Sequence, residues 1–432
     1  MVDTPEARTD QQVEPARQAS SYRAVLRHPP LLTLISGDAI SKLGDGMTFV
    51  ALPVLALDLH GATSPALAVS LVTTAPFVLP VLLSFAVGLG RRRFRPRRIL
   101  LADCVLRGAT FATLGIVVNA GALRLWPFAI ALLLCSVLRT LASSSRRLAA
   151  TAMVDATGRL AVNGLMGTTD SLASYVIGPA LGGLITAFGH PGLILVVDGL
   201  TYVVLLVAVA VAVPADTPQD KPVSDESVAP VRPSQTGWAI LRHTPAMTSL
   251  LAVTLLFNLF YGPAEVSIPL LATSSLHAGK AAIGVLWTGF GVGALLGAAA
   301  TTLLRRVSGA PLLLAIVAGW AASMAALAAA PTLAFATVAL AIGGLIYGPY
   351  TAVAYTILQE GLDPDQQQPV LTIWGAAIAV ALPLGLGVGG PLVAAAGARG
   401  GLVVSAVLTA SLAPFGARWI RTRRTVPVVQ HG

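Results

Sequence analysis

Long apolar runs separated by short polar breaks set the pattern of this chain. They lie at roughly 31–58, 64–90, 99–120, 126–145, 165–189 and 192–213. After a polar gap they resume at roughly 247–274, 281–304, 310–329, 332–358, 371–396 and 401–418. A helix needs about 20 predominantly apolar residues to cross the roughly 30 Å of hydrocarbon in a bilayer. The runs therefore predict twelve membrane-spanning helices, six on each side of the gap. The gap, 214–237, is rich in Pro, Asp and Ser and predicts a solvated linker. The polar stretch 1–22 predicts disorder, and 421–432 a polar tail. The expected organisation is an all-α membrane protein, with six-helix bundles over 23–213 and 238–420.

Composition agrees with the pattern. Hydrophobic residues make up 55% and charged residues 11%, with a mean hydropathy of +0.78, whereas soluble domains carry about 25% charged residues. The net charge of +9 raises the question of nucleic acid, and its placement answers it. With the N-terminus taken as cytoplasmic, 22 of the 28 Lys and Arg fall in inner segments, 3 in outer connections and 3 within spans. That bias predicts a multi-pass protein of the bacterial-type inner (plasma) membrane with both termini cytoplasmic, and no nucleic-acid partner. No secretory signal is expected ahead of the first run. Cys104 and Cys135 both sit in apolar segments, so neither a disulfide framework nor a metal site is expected.

The two halves repeat. Ala24-Val-Leu-Arg27-His28-Pro-Pro-Leu-Leu-Thr33 matches Ala239-Ile-Leu-Arg242-His243-Thr-Pro-Ala-Met-Thr248 at an offset of 215, and Leu52-Pro53 falls on Ile268-Pro269 at 216. Gly182, Gly189 and Gly192 fall on Gly390, Gly397 and Gly400 at 208. Halves that start on the same side and hold six spans each are related by an axis along the membrane normal. In transporters with such parallel repeats the substrate site lies between the bundles.

Ionisable residues at membrane depth are costly and mark substrate or proton paths by default. Asp38, Lys42 and Asp45 are spaced by four and three, so they share one face of the first span. Asp38 and Lys42 could neutralise each other within the helix. Asp45, flanked by Gly44 and Gly46, would then be left over. At the repeat offset Lys42 corresponds to Asn258, Asp45 to Tyr261 and Phe49 to Glu265, so both halves offer polar groups to a central cavity. Glu265 is the single acid of the seventh span. Burial disfavours a carboxylate's charged form, so such a group can take up and release protons; its other reading is an acid held by hydrogen bonds near the outer mouth. Glu265, Asp45 and Asp38 are the proton-coupling candidates, and Lys42, Arg139, Asn258 and Tyr261 the cavity candidates. Arg139 has no acid within one turn, so its partner must come from another helix or from substrate. Asp103 and Arg107, four apart in the third span, read as a structural pair. The basic run from Arg91 to Arg98 reads as a topology signal, with a second reading as an inner latch. Gly289, Gly293 and Gly297 make a close-packing face, and Gly178-Pro179-Ala-Leu-Gly182-Gly183 can both pack closely and bend. No phosphate-binding loop, H-E-x-x-H or G-x-S-x-G occurs, so neither catalysis nor a cofactor is expected.

Over about residues 22–420 the chain resembles the major facilitator superfamily, and within it the drug:proton antiporter branch that includes macrolide-efflux-like and enterobactin-exporter-like proteins. The resemblance rests on Ile40-Ser-Lys-Leu-Gly-Asp45-Gly46 followed by Ala51-Leu-Pro53, on Gly178-Pro179-Ala-Leu-Gly182-Gly183, and on Arg91 with its basic tail. In that tail region Ala86 and Gly90 stand where the family has Gly and Asp. Arg139 looks like the family's fourth-helix arginine, though Thr140-Leu-Ala-Ser143 follows it in place of the usual Gln-Gly. The resemblance implies a monomeric secondary transporter in the lipid bilayer, of multidrug-resistance type. It would export an amphipathic, antibiotic- or siderophore-like small molecule by alternating access, in exchange for protons. An uptake carrier or uniporter keeps the same fold. A non-transporting receptor or scaffold would instead fill the space between the bundles with apolar side chains.

Overall fold

The computed structural model describes residues 27–88, 96–155, 158–214, 236–301 and 309–414, and the backbone alone over 84–88. The N-terminal stretch, most of the 214–237 linker, the C-terminal tail and Arg91 lie outside the described residues. Among the described residues the regular structure is helical throughout. In the first half α1 is Pro29–Leu59, α2 Pro65–Gly88, α3 Pro96–Asn119, α4 Leu125–Cys135, α5 Arg139–Ala152, α6 Arg159–Leu172, α7 Gly178–Ala187 and α8 Pro191–Ala212. In the second half α9 is Gly237–His243, α10 Pro245–Leu270, α11 Ala281–Ala299, α12 Ala310–Ala328, α13 Leu333–Tyr347, α14 Tyr350–Glu360 and α15 Pro364–Ala410.

Among the described residues, ten stretches are long and apolar enough to cross a bilayer. The other two spans are hidden by local geometry. A π-helical turn over Ala173–Ile177 divides the fifth span between α6 and α7, and α15 holds the eleventh and twelfth spans on either side of Gly397, whose φ of 74° lies outside the helical range. Counted this way the layout is the expected twelve. α4 with α5, and α13 with α14, form the fourth and tenth spans. Ile116, Phe188, Val207 and Val211 are more than half exposed, as side chains on the lipid-facing side of a span would be.

The repeat is visible in backbone geometry. α1 and α10 each open on a proline, Pro29 and Pro245, and each carries another at the same interval, Pro53 and Pro269. Pro at the first turn costs nothing because its missing N–H has no partner there anyway. The left-handed Gly189 (φ 79°) joins the fifth and sixth spans as Gly397 joins the eleventh and twelfth. Gly61 (φ 55°) turns the first hairpin, and its counterpart 216 residues on is His277 (φ 50°), which is the positive-φ residue among the described non-glycines. A left-handed backbone costs an L-residue roughly 1–2 kcal/mol, and a β-branched side chain tolerates it worst. His277→Val is therefore expected to lower the thermal midpoint in detergent, by an amount corresponding to about 1 kcal/mol, while His277→Gly leaves it level or higher.

Small residues let the spans approach. α8 packs on both α1 and α3: Gly37 lies against Ala208, Gly44 against Asp198 and Thr201, and Gly108 against Gly199 and Tyr202. The halves meet along two seams, α2 on α15 and α7 on α11. Ser70 Oγ donates to the Leu386 carbonyl at 2.7 Å, Gly183 faces Gly284 and Gly291 abuts the Tyr175 carbonyl. Lys280 at the start of α11 pairs with Asp58 at the end of α1. These contacts lie at mid-span or toward the end of the molecule that carries the turns at Gly61 and Gly279.

Candidate functional site

The glycines that bring α8 against α1 and α3 also bury a polar cluster between them. On α1, Asp45 accepts hydrogen bonds from Arg107 Nη2 and from the Tyr202 hydroxyl, both at 2.7 Å. Lys42 Nζ lies 3.7 Å from the same carboxylate and 3.3 Å from Asp170 on α6. One turn further along α1, Thr48 Oγ1 donates to Asp198 at 2.6 Å, and Thr201 Oγ1 reaches Asp198 at 3.2 Å. The Arg107 guanidinium stacks over the Tyr202 ring at 4.5 Å, which adds a cation–π contact to the hydrogen bond with Asp45.

Asp45, Thr48 and Arg107 of this cluster form one wall of a cavity lined by both halves. Asp45, Thr48, Phe49 and Leu52 line it from α1, Thr73, Pro76 and Phe77 from α2, and Arg107 and Phe111 from α3. Cys135, Ser136 and Arg139 come from the fourth span, and Glu265 from α10. Arg139 rests over the Phe77 ring at 4.9 Å and forms no ion pair among the described residues. Glu265 is 8% exposed, and it too has no ion-pair partner among the described residues. The cavity thus presents a neutralised acid (Asp45), a free base (Arg139) and a free acid (Glu265), embedded in aromatic and aliphatic side chains. Such a lining suits an amphipathic guest: apolar area for affinity, a few polar groups for orientation.

Several expected pairings differ in the structure. Asp38 does not pair with Lys42; its carboxylate is taken by Arg146 of α5, with both side chains 6% exposed. A base on a neighbouring helix thus takes it in place of Lys42 one turn along its own, and Asp38 lies off the cavity lining. Arg107 likewise turns from Asp103 to Asp45. Asn258 Nδ2 bonds the Thr254 carbonyl of its own helix at 2.8 Å, and Tyr261 packs against Trp320 with ring centroids 5.7 Å apart; neither lines the cavity, and nor does Lys42. Of the matched pairs, Phe49 and Glu265 share the lining. The sequence reading omits Asp198 and Tyr202. Their signal was present: Asp198 is the single acid in α8, the same mark that singled out Glu265.

The fifth-span glycines serve both halves. Gly178 packs on Gly46 and Gly182 on Met47 of α1, while Gly183 faces Gly284 of α11. Pro179 has no N–H to offer the carbonyl four residues back, that of Tyr175. The π turn and the approach of Gly291 both fall at that carbonyl.

Comparison with known proteins places this architecture. The family model of the Major Facilitator Superfamily matches residues 34–317. The chain belongs to the Major Facilitator Superfamily. It is 26% identical over 378 residues to multidrug efflux pump Tap of Mycolicibacterium fortuitum, covering 85% of this chain and 90% of that one. It is 22% identical over 361 residues to macrolide efflux protein A of Streptococcus pyogenes, covering 82% and 87%. Among solved structures, a bacterial homologue of the human lysosomal transporter Spinster superposes with a TM-score of 0.66 at 14% identity, covering 93% of this chain and 97% of that one. The Major Facilitator Superfamily chain is thus a multi-pass bacterial membrane transporter for small molecules rather than an enzyme. Its charged groups are distributed unequally. Around the cavity the first half carries one acid, Asp45, and two bases, Arg107 and Arg139, whereas the second half contributes the single carboxylate of Glu265.

Proposed function

We propose that the protein exports an amphipathic small molecule, of the kind its efflux relatives are named for, in exchange for protons. The carrying observation is Glu265: a nearly buried acid on the cavity wall, without a basic partner among the described residues, facing a first half already charge-paired at Asp45. A carboxyl group at membrane depth on a transport cavity marks a proton path, so guest binding and proton binding compete for the same small space. The halves touch toward the end bearing Asp58 and Lys280, which the positive-inside count makes the outer end. On this reading the cavity is offered to the cytoplasm, both termini are cytoplasmic, and the carrier works as a monomer whose two bundles, 23–213 and 238–420, rock about the cavity.

The test is uptake of a radiolabelled macrolide into everted membrane vesicles energised by respiration. Accumulation that collapses with a protonophore is expected for the wild type. Glu265→Gln is expected to cut proton-driven accumulation at least tenfold while leaving macrolide binding to the detergent-purified protein. Full proton-driven accumulation by Glu265→Gln combined with Asp45→Asn would falsify the coupling. Accumulation in intact cells that falls when the gradient is dissipated would mark an importer instead.

A further inference from the structure

Asp103 of α3 has no role in the cavity just described, and its surroundings are unusual. It is 1% exposed, and neither carboxylate oxygen has a hydrogen-bond partner among the described residues. Two arginines act on it, Arg107 one turn along its own helix and Arg146 from α5. Each is committed elsewhere: Arg107 to Asp45, Arg146 to Asp38. The further charged or titratable groups around it are Asp45 from α1, Arg139 from α5, Cys104 beside it, Cys135 of α4 and Tyr202 of α8, with Asp38 behind Arg146 and Asp198 behind Arg107. An ionised carboxylate stranded in an apolar interior is expensive, and the group neutralises instead. A protonated carboxyl between two engaged guanidinium groups satisfies that demand, but only while both stay engaged.

We propose that Asp103 is a second proton site of the carrier, protonated while Arg107 is held by Asp45 and ionised when Arg107 moves one helical turn to it. Neutralising Asp45 frees the guanidinium; the guanidinium then pairs with Asp103, and the proton leaves Asp103. Asp45 gains one proton and Asp103 loses one, so charge stays balanced within the cluster. Arg107 keeps its own proton throughout. Occupation of the cavity beside Asp45 is thereby linked to an acid set away from the lining, next to the Arg146–Asp38 pair. The proposal builds on the proton-coupled reading of the cavity, but its test needs neither a substrate nor a direction of transport.

The experiment is infrared difference spectroscopy on the full chain in lipid, reading the C=O stretch of protonated carboxyl groups. Subtracting the Asp103→Asn spectrum from the wild type is expected to leave one carboxyl band, and Asp103→Glu should move that band without removing it. Asp45→Asn, which permanently frees Arg107, is expected to abolish the Asp103 band at the pH where the wild type shows it. A wild type with no band assignable to Asp103, by either variant, overturns the proton site. A band that persists unchanged in Asp45→Asn overturns the switch. If Asp103→Asn does not fold, the Asp103→Glu shift carries the assignment alone. Export that fails in vesicles would refute the transport reading and leave these bands where they are.

Discussion

Asp45→Asn is expected to cost the protein both stability and export, and to do so by less in stability than a stranded arginine would suggest. Asp45 is the shared acceptor of Arg107, Tyr202 and Lys42, and its side chain is 19% exposed against 10% for Arg107. Removing one partner of a buried ion pair typically costs about 3–5 kcal/mol, because the other charge is left without compensation. If Arg107 relocates to Asp103, much of that penalty is avoided, and the loss should fall nearer 1–2 kcal/mol, the scale of a buried hydrogen bond to a charged group. The double variant Asp45→Asn with Asp103→Asn removes both acceptors and should reach the full penalty. Chemical or thermal unfolding in detergent therefore gives a non-additive cycle, with the double loss exceeding the sum of the single ones by about 1–3 kcal/mol. Strict additivity would mean that Arg107 has a single partner. Export should drop at least tenfold in Asp45→Asn, since Arg107 is then drawn from the cavity wall to Asp103 and the neutral Asp45–Arg107 pair that lines the cavity is gone.

The cluster also shows what a sequence can and cannot disclose about a membrane protein. Run lengths determine the spans, because the bilayer fixes a minimum helix length, and the π turn at Ala173–Ile177 leaves that length untouched even though it divides the helix. Repeat offsets carry information as far as backbone geometry: Gly189 with Gly397, and Gly61 with His277, adopt the same left-handed turn. Ionisable residues announce themselves by their rarity in apolar runs, which is why Asp45, Arg139 and Glu265 could be singled out and then found on one cavity. Their partners could not. Spacing of three or four residues puts two side chains on one face, but in a bundle a base on a neighbouring helix competes on equal terms. Arg146 therefore takes Asp38 from Lys42, and Asp45 takes Arg107 from Asp103. Asn258 and Tyr261 show the other limit. A repeat matches helix positions but not their neighbours: Glu265 reaches the cavity, while Tyr261, one turn back on the same face of α10, packs among aromatic rings.

Gly284→Val is expected to stop the transport cycle with the fold intact. A Cβ at this position would press on the Gly183 Cα at 2.5 Å and the Pro179 carbonyl at 2.7 Å. Both are backbone atoms of the opposite half and cannot turn aside as a side chain could. Overpacking a fitted contact costs typically 1–3 kcal/mol. Here the cost falls only on the state in which the two halves are pressed together at this end, because each half's own packing does not involve the pair. Every 1.4 kcal/mol is a tenfold change in an equilibrium, so a penalty of about 3 kcal/mol would depopulate this state roughly a hundredfold. The control is Gly387→Val on α15, where an added Cβ meets nothing within 4 Å. In a background with Cys104 and Cys135 replaced by alanine, Thr73→Cys places a thiol on the cavity wall for labelling with a membrane-impermeant maleimide. Labelling from the outer face should rise strongly with Gly284→Val, stay low with Gly387→Val, and be matched by loss of macrolide accumulation in vesicles for the first variant alone. Unchanged labelling together with normal export in Gly284→Val would mean that the α7–α11 seam is not part of the moving interface, and that the rocking occurs elsewhere in the molecule.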